Sequence, residues 1–343
     1  MAINVLDTHT LMGVKQQLPK FQPYFLQMFF GQTVTFDTKE IVFEKIRKGI
    51  KLAPFVAPLV SGKPNRKRGG KMLSFEPAYV KPTDNVEPGM LLKRQPGEAI
   101  GGELNPLQRR LAVIGQILDD QEKSILYREE WMAVQAVMTG QVTVEGEEYE
   151  TQVVDYNRSP ENSVTLVGPA KWDTVDPDTY DPTDDIEEWA ERATGVVDKL
   201  VFDKTAWKSF SRFKVVKEKL DKNIAGNNSS INLSPQLARI VQFKGNFGEY
   251  ELWVYAGKHE DDTGTEVYYM PEGTLLMAPS STDDVMAYGA IQDAEANASG
   301  VVAVSRYPSN WITKNPSVEW MQTQSAPLPV MFDADAFVTI KVQ

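Results

Sequence analysis

Acidic residues that could hold a metal ion are concentrated in one segment of the sequence. Between Asp173 and Ala193, nine Asp or Glu face a single Arg, which gives a local charge of −8. Carboxylate oxygens are the ligands that calcium and magnesium prefer. The candidate ligands are Asp176, Asp178, Asp181, Asp184 and Asp185. A metal-dependent enzyme that uses residues 173–188 is therefore one function that the sequence allows.

The spacing in this acidic segment does not fit a calcium loop. An EF-hand loop requires a glycine at its sixth position, and a loop counted from Asp176 has Asp181 there. Helix capping and a solvated acidic surface account for the same residues without a metal, since Asp184 and Glu187 have the spacing of a capping box and Gly195 could end the helix. We therefore expect no bound metal and no cofactor.

Other common catalytic arrangements lack their residues. The chain has no cysteine, which excludes disulfides, thiolate zinc sites and cysteine nucleophiles, and only two histidines, His9 and His259. The glycine pairs Gly69-Gly70 and Gly101-Gly102 lack the spacing of a phosphate-binding loop. Any two acids could meet as a glycosidase pair, but nothing in their spacing predicts one. We predict that the protein is not an enzyme.

A second segment has the opposite charge. From Asp37 to Met72, ten Lys or Arg face three Asp or Glu, a local charge of +7. Seven prolines lie between Pro54 and Pro96, which excludes long helices and central strands and predicts an extended ribbon or a long loop. The residues near the middle of this ribbon, its predicted tip, are Arg66, Lys67, Arg68, Gly69 and Gly70.

Three interpretations of this basic tip remain open. It could bind nucleic acid through phosphate contacts, it could be a solvated hairpin tip, or it could contact the acidic segment of an identical subunit. Nucleic-acid binding is disfavoured, because no aromatic residues interleave with the cations and the whole chain has a net charge of −11. In the third interpretation, Asp181, Asp184 and Asp185 are candidate interface residues.

Aromatic residues near the start of the sequence have helical spacing. Phe21, Phe25, Phe29 and Phe30 lie three to four residues apart or adjacent, and Pro23 can occupy only the first turn of a helix there. Two interpretations remain open. The helix is buried in the core of its own domain, or it belongs to an arm that packs on a neighbouring subunit and would otherwise expose these rings.

One long helix has clear boundaries. Asn105 can cap it, Pro106 suits its first position and Gly140 can end it, so we predict a helix over 106–138, about 50 Å long. One apolar stripe consists of Leu107, Leu111, Ile114, Leu118, Ile125 and Met132. Gln121 and Arg128 interrupt the stripe, so a helix lying across a sheet is favoured over a coiled-coil seam.

The remaining sequence alternates between short strands and helices. A helix from about Lys204 to Leu220 is predicted, capped by Asp203, with Trp207, Phe210, Phe213 and Leu220 on one face. Strands are predicted at Val34–Asp37, Ile41–Glu44, Val142–Glu145, Tyr149–Val154, Ser163–Val167, Tyr250–Tyr255, Val267–Met270, Leu275–Met277 and Phe337–Val342. The pattern predicts an α+β fold.

The composition is that of a folded protein. The 343 residues are 42% hydrophobic and 24% charged, which excludes wholesale disorder. The start of the sequence has no secretory signal pattern, and its most apolar stretch, Leu52–Val60, is interrupted by prolines and too short to cross a bilayer. We expect a soluble chain that is made in a cytoplasm and does not contact a membrane.

Eight short motifs, in order along nearly the whole chain, resemble the tailed-phage major capsid proteins of the lambda capsid protein E family. They are Phe21-x-Pro-x-Phe-Leu-x-x-Phe-Phe30, Val60-Ser-Gly-x-x-x-Arg-x-Arg-Gly-Gly70, Tyr79-Val-Lys-Pro82, Tyr180-Asp-Pro-Thr-Asp-Asp-Ile-Glu187, Phe213-Lys-x-Val-Lys-Glu-Lys-Leu-Asp221, Ile291-Gln-Asp-Ala294, Arg306-Tyr-Pro-x-Asn-Trp311 and Gln324-Ser-Ala-Pro-Leu328. Each motif alone is weak, and their shared order carries the resemblance.

The resemblance implies the Hong Kong 97 capsid fold. Residues 1–40 would form an N-arm and 41–100 an extended β-hairpin E-loop. Residues 101–172 and 312–343 would form a P-domain that contains the spine helix, and 173–311 an A-domain. Within this scheme, the aromatic start, the basic tip and Asp181, Asp184 and Asp185 are the expected subunit interface.

The resemblance also implies the function. Hexamers and pentamers of the chain would form an icosahedral procapsid, helped by scaffolding, protease and portal proteins, which expands as double-stranded DNA is packaged. A decoration protein on the outside, non-specific DNA contact at the inner face and location in the virion are further expectations. We predict no lysine–asparagine cross-link. Another virion structural protein, such as a tail or decoration protein, is the alternative in the same class.

Overall fold

A computed structural model describes residues 23–46, 70–92, 105–146, 149–220, 240–261 and 263–343. Within these ranges one α-helix is long and the other six are short. They are α1 (Tyr24–Phe29), α2 (Pro88–Leu92), α3 (Pro106–Thr139), α4 (Thr183–Glu191), α5 (Lys204–Phe210), α6 (Lys214–Lys219) and α7 (Ala294–Ser299). The mixture of these helices with the strands below agrees with the predicted α+β class.

The strands of the described residues are mostly short. They are β1 (Gln32–Thr35), β2 (Ile41–Ile46), β3 (Gly70–Phe75), β4 (Thr83–Val86), β5 (Gln141–Gly146), β6 (Tyr149–Asp155), β7 (Ser163–Thr165), β8 (Lys199–Phe202), β9 (Val241–Phe247), β10 (Tyr250–Tyr255), β11 (Lys258–Glu260), β12 (Glu266–Tyr268), β13 (Thr274–Ala278), β14 (Val285–Tyr288), β15 (Tyr307–Lys314), β16 (Ser317–Gln324), β17 (Pro327–Val330) and β18 (Val338–Lys341).

The largest sheet has six strands in the order β7-β18-β13-β8-β10-β9. The β7/β18 and β8/β10 pairs are parallel and the other neighbours are antiparallel. An aromatic cluster around Trp172 covers one side of this sheet, with Trp172 packed against Phe210 at 5.4 Å and against the edge of Phe213 at 5.8 Å between ring centroids. Burial of such large rings supplies much of the stability of a core.

The α3 helix is the predicted spine, and its boundaries are confirmed. Asn105 accepts a hydrogen bond from the Gln108 N–H, and the Gln108 side chain accepts one from the Asn105 N–H, both at 2.9 Å. Gly140 ends the helix in the left-handed region, with φ at 72°, where glycine has no steric cost. A side chain there would also collide with Arg158, because an added Cβ would lie 2.6 Å from its Cβ.

The spine helix packs against two small sheets at different positions along its length. The middle of α3 packs on the sheet β15-β16-β4, where Ile114 and Leu118 contact Val86 and Met321. Its last turns enter the main core together with α1 and the sheet β1-β14-β17. The spine therefore lies across sheets, as predicted, and not in a coiled-coil seam.

Four details of the sequence-based predictions are wrong. Leu107 and Leu111 of the stripe are 61% and 43% exposed, so the apolar stripe is not buried along its first two turns. The helix predicted over 204–220 breaks after Phe210, which lets the Lys214 N–H donate to the Pro177 carbonyl at 2.9 Å. The α4 helix begins at Thr183 and ends at Glu191, so Asp184 is not its cap and Gly195 does not end it.

The fourth correction concerns the boundary between the predicted P- and A-domains. A break between residues 311 and 312 falls inside β15, which pairs with β16 along its whole length. Strand β18, assigned to the P-domain, lies in the same sheet as the A-domain strands β13 and β8. The two predicted domains therefore share a sheet, and the strands give no physical reason to divide the chain at that point.

Among the helices of the described ranges, none combines the length and apolar character needed to cross a membrane.

Candidate functional site

The acidic segment is organised by local hydrogen bonds. Asp181 accepts from the Thr183 N–H at 2.9 Å and from its hydroxyl at 2.5 Å. These bonds, together with Lys219 at 3.6 Å, hold the pKa of Asp181 below its usual value. Asp176 likewise accepts from the Asp178 N–H at 3.1 Å. The carboxylates thus shape turns, as aspartates commonly do.

The other two acidic candidates lie at the start of α4. Asp184 is exposed in the first turn, and Asp185 accepts a hydrogen bond from the Tyr180 hydroxyl. Carboxylates in a first helical turn interact favourably with the helix dipole. The described residues contain no group of three or more His, Cys, Asp or Glu placed to hold a metal ion.

The aromatic start of the chain is buried in its own core, where the structure places Phe25, Phe29 and Phe30. The ring of Phe25 packs on the edge of Tyr255 at 4.9 Å, and that of Phe29 on the edge of Phe337 at 5.2 Å. Side chains covered by their own chain leave no surface for a neighbour, so their assignment to the subunit interface is corrected. The alternative of a helix in its own core is the arrangement found, and Phe21 lies outside the described residues.

A buried carboxylate on the spine anchors this aromatic helix. Glu130 accepts from the N–H groups of Phe25 at 3.0 Å and Leu26 at 2.9 Å, and from the Tyr255 hydroxyl at 2.8 Å. The first N–H groups of a helix have no partner within the helix, so the carboxylate acts as a cap supplied from far along the chain. Burial raises the pKa of Glu130.

The next residue of the spine makes a buried ion pair. Arg306 lies 2.7 Å from Glu129, and both side chains are almost completely covered. Arg306 also donates to the Ser325 hydroxyl at 3.0 Å. Sequence reasoning missed both carboxylates. The only available signal was a pair of glutamates within the otherwise apolar end of α3.

The basic ribbon is described only where it begins and ends. Strands β2 and β3 pair antiparallel, from Ile41 opposite Phe75 to Ile46 opposite Gly70. The predicted tip residues Arg66, Lys67, Arg68 and Gly69 lie outside the described residues, and Gly70 is the first residue of β3. A two-stranded ribbon of this register fits the predicted extended hairpin.

Comparisons with known proteins match the chain along nearly its whole length. A family model described as "Phage major capsid protein E" matches residues 7–342. The major capsid protein of Escherichia phage lambda is 38% identical over 341 residues, which cover 99% of this chain and all of the lambda protein. The major capsid protein of Escherichia phage N15 is 39% identical over 342 residues, with the same coverage.

A solved structure agrees with these sequences. The crystal structure of the putative capsid protein of a prophage from E. coli CFT073 superimposes with a TM-score of 0.81 at 29% identity, over 99% of this chain and 100% of that chain. The expected Hong Kong 97 capsid fold is confirmed by this likeness. Because the family model matches residues 7–342 and the relatives are 38% and 39% identical over their full length, this chain belongs to the phage major capsid protein E family.

Proposed function

We propose that copies of this chain assemble as hexamers and pentamers into the icosahedral shell that encloses the double-stranded DNA of a tailed phage. The observation that carries the proposal is the family match over residues 7–342. A second observation supports it. Several large apolar side chains are left in water by a single subunit, among them Val196, Val167 and Leu107. Contacts between subunits would cover such groups.

The charge distribution supports a specific contact between copies. The basic tip, Arg66 to Gly70, would meet the acidic surface of Asp181, Asp184 and Asp185 on a neighbour. Asp181 and Asp184 are exposed, and the pKa of Asp181 is lowered mainly by its hydrogen bonds to Thr183, so its negative charge is maintained at neutral pH. Exposed pairs of this kind orient an encounter more than they tighten it.

The other proposed partners are proteins that would help to build the shell and fill it with DNA. A scaffolding protein, a portal and a decoration protein would act with the chain, which is made in the host cytoplasm and ends in the virion. DNA would touch the inner face only weakly, because a chain with a net charge of −11 repels phosphates. The chain would perform no catalysis.

Charge reversal of the basic tip tests this function. The triple variant Arg66→Glu, Lys67→Glu, Arg68→Glu should lower the yield of shells, counted by negative-stain electron microscopy, by about tenfold, since each reversed charge turns attraction into repulsion. The matched control, Lys208→Glu, Lys214→Glu, Lys217→Glu, makes the same charge change on the exposed sides of α5 and α6. It should assemble like the wild type.

Two outcomes contradict the proposal. A wild-type chain that stays monomeric under all conditions, alone and with a scaffolding protein, contradicts a shell function. Normal shells from the triple tip variant, with unchanged circular dichroism, contradict the contact while leaving the shell function intact.

A further inference from the structure

An acidic cavity of about 350 Å³ opens between three loops. One loop, with Val196 and Asp198, precedes β8. The second, residues 279–284, joins β13 to β14, and the third, residues 332–336, joins β17 to β18. The volume is that of a small ligand site. None of the eight motifs that carry the capsid resemblance includes these loops.

The lining of this cavity is one-sided in charge. Four carboxylates contribute to it, and the described lining residues include no Lys, Arg or His; the acids are Asp198, Asp283, Asp284 and Asp333. Like charges held together repel one another, and either a bound proton or a cation among them relieves the repulsion.

Two of these carboxylates have buried oxygens without partners. Asp284 is only 3% exposed, and its Oδ1 accepts from the Phe332 N–H at 2.8 Å while its Oδ2 makes no hydrogen bond. The Oδ1 of Asp198 is also buried without a hydrogen bond. An acceptor in this state has lost its water and gained nothing in return. Burial accordingly raises the pKa of Asp284 to about 7.

The walls of the cavity are fixed in position. The Asp198 N–H donates to the Ala278 carbonyl at 3.3 Å, and the Asp198 carbonyl accepts from the Glu251 N–H at 2.8 Å. The Thr282 hydroxyl donates to the Phe29 carbonyl at 2.7 Å. The acceptors are thus held in place in a single subunit, which is the condition for tight recognition of a ligand.

The rim differs from the interior in its polarity. Val196 is 83% exposed and Phe332 is 36% exposed, and both border the cavity. An apolar rim above buried carboxylates matches a group with a long aliphatic stem and a cationic end, which describes a lysine or arginine side chain. A bare metal ion would leave the rim uncovered, and the described residues contain no group of three or more ligating side chains placed to hold a metal ion.

We propose that this cavity receives a lysine or arginine side chain from a second copy of the chain. The proposal rests on the assembly function proposed above. A second copy is the occupant because it supplies both requirements at once, a polypeptide surface over Val196 and Phe332 and a locally basic segment. Residues 37–72 alone carry ten Lys or Arg against three acids. The cationic end would pair with Oδ2 of Asp284 and Oδ1 of Asp198, in charge-assisted hydrogen bonds.

Cryo-electron microscopy of shells formed by the full chain tests the proposal directly. We expect a lysine or arginine nitrogen of a neighbouring copy within about 3 Å of an Asp284 carboxylate oxygen. A cavity that holds only water, a residue of its own chain or a different protein overturns the inference and leaves the shell function standing. Failure of the wild type to form any shell overturns both.

Neutral variants give a second test. Asp284→Asn keeps the acceptor for Phe332 and removes the charge, so it should raise the concentration needed for assembly about tenfold, the size of one charge-assisted hydrogen bond. Asp178→Asn, an exposed acid outside the cavity, is the matched control and should assemble like the wild type. Asp284→Asn that assembles at the wild-type concentration overturns the proposal. Should that variant fail to fold, Asp198→Asn replaces it, with the same expectation and the same contrary result.

Discussion

The two ends of the spine helix share an apolar stripe but have opposite surroundings. Leu107 and Leu111, in the first two turns, face water, whereas Met132, Ala133 and Val137 near the other end are buried in the main core. Helical periodicity therefore indicates which side of a helix is apolar, but not which chain covers it. In a protein that assembles, a neighbouring subunit can cover the first turns of the helix, whereas the last turns are already covered within the subunit.

The largest expected effect lies at the buried end. Met132→Ala should lower the free energy of unfolding by about 3 kcal/mol, because it removes a packed side chain and leaves a cavity. Alanine costs nothing in helix propensity, so the loss measures packing alone. Urea denaturation of the free subunit checks the value. A loss below about 1 kcal/mol would mean that this end is no better packed than an exposed surface.

A smaller effect is expected where the spine caps α1. Glu130→Gln should cost about 2 kcal/mol at pH 5, because an amide cannot accept as many hydrogen bonds from Phe25, Leu26 and Tyr255 as the carboxyl group does. Thermal unfolding at pH 5 and pH 8 measures this difference. Glu187→Gln, on the exposed side of α4, is the control and should change stability little.

The difference in stability between the wild type and this variant should depend on pH, because burial raises the pKa of the Glu130 carboxyl in the folded wild type. A folded-state pKa above the unfolded value means that the folded protein binds the proton more tightly. The protonated Glu130 carboxyl therefore stabilises the folded state at a pH below its unfolded-state pKa, and this stabilisation is lost as the pH rises through its folded-state pKa. The difference in free energy of unfolding between the wild type and Glu130→Gln should therefore become smaller from pH 5 to pH 8. A difference that grows with pH would show that Glu130 is stabilised as an anion.

The smallest effect on the subunit is expected at the exposed end. Leu107→Ala with Leu111→Ala should change the free energy of unfolding by about 0.5 kcal/mol or less, as is usual for surface positions, and should reduce shell yield. Urea denaturation and particle counts separate the two effects. A loss as large as that of Met132→Ala would mean that the leucines already pack within the subunit.

Local signals in the sequence identified the spine because its ends are determined locally. Asn105, Pro106 and Gly140 act through hydrogen bonds and backbone angles within a few residues, so their spacing was sufficient. The hairpin of β15 and β16 was missed because Pro308 lies within one strand and Pro316 at its turn, and proline usually indicates a break.

Contacts between distant parts of the chain could not be predicted in this way. Glu130 caps a helix more than one hundred residues earlier, and the acidic cavity combines loops near residues 198, 284 and 332. No short sequence motif indicates contacts between residues so far apart in the chain. The burial of Phe25 and Phe29 also depends on Tyr255 and Phe337, which is why local spacing alone did not decide between an arm and a core helix.

The position of β18 has a consequence for the timing of folding during synthesis. This strand lies between β7 and β13 in the six-stranded sheet, yet residues 338–341 leave the ribosome after all of its neighbours. Until then β7 lacks the partner to which it is paired, and residues 332–336, one wall of the acidic cavity, are absent as well. Because non-local strand pairs form late, we expect a growing chain to reach its assembly-competent shape only after translation has passed residue 341.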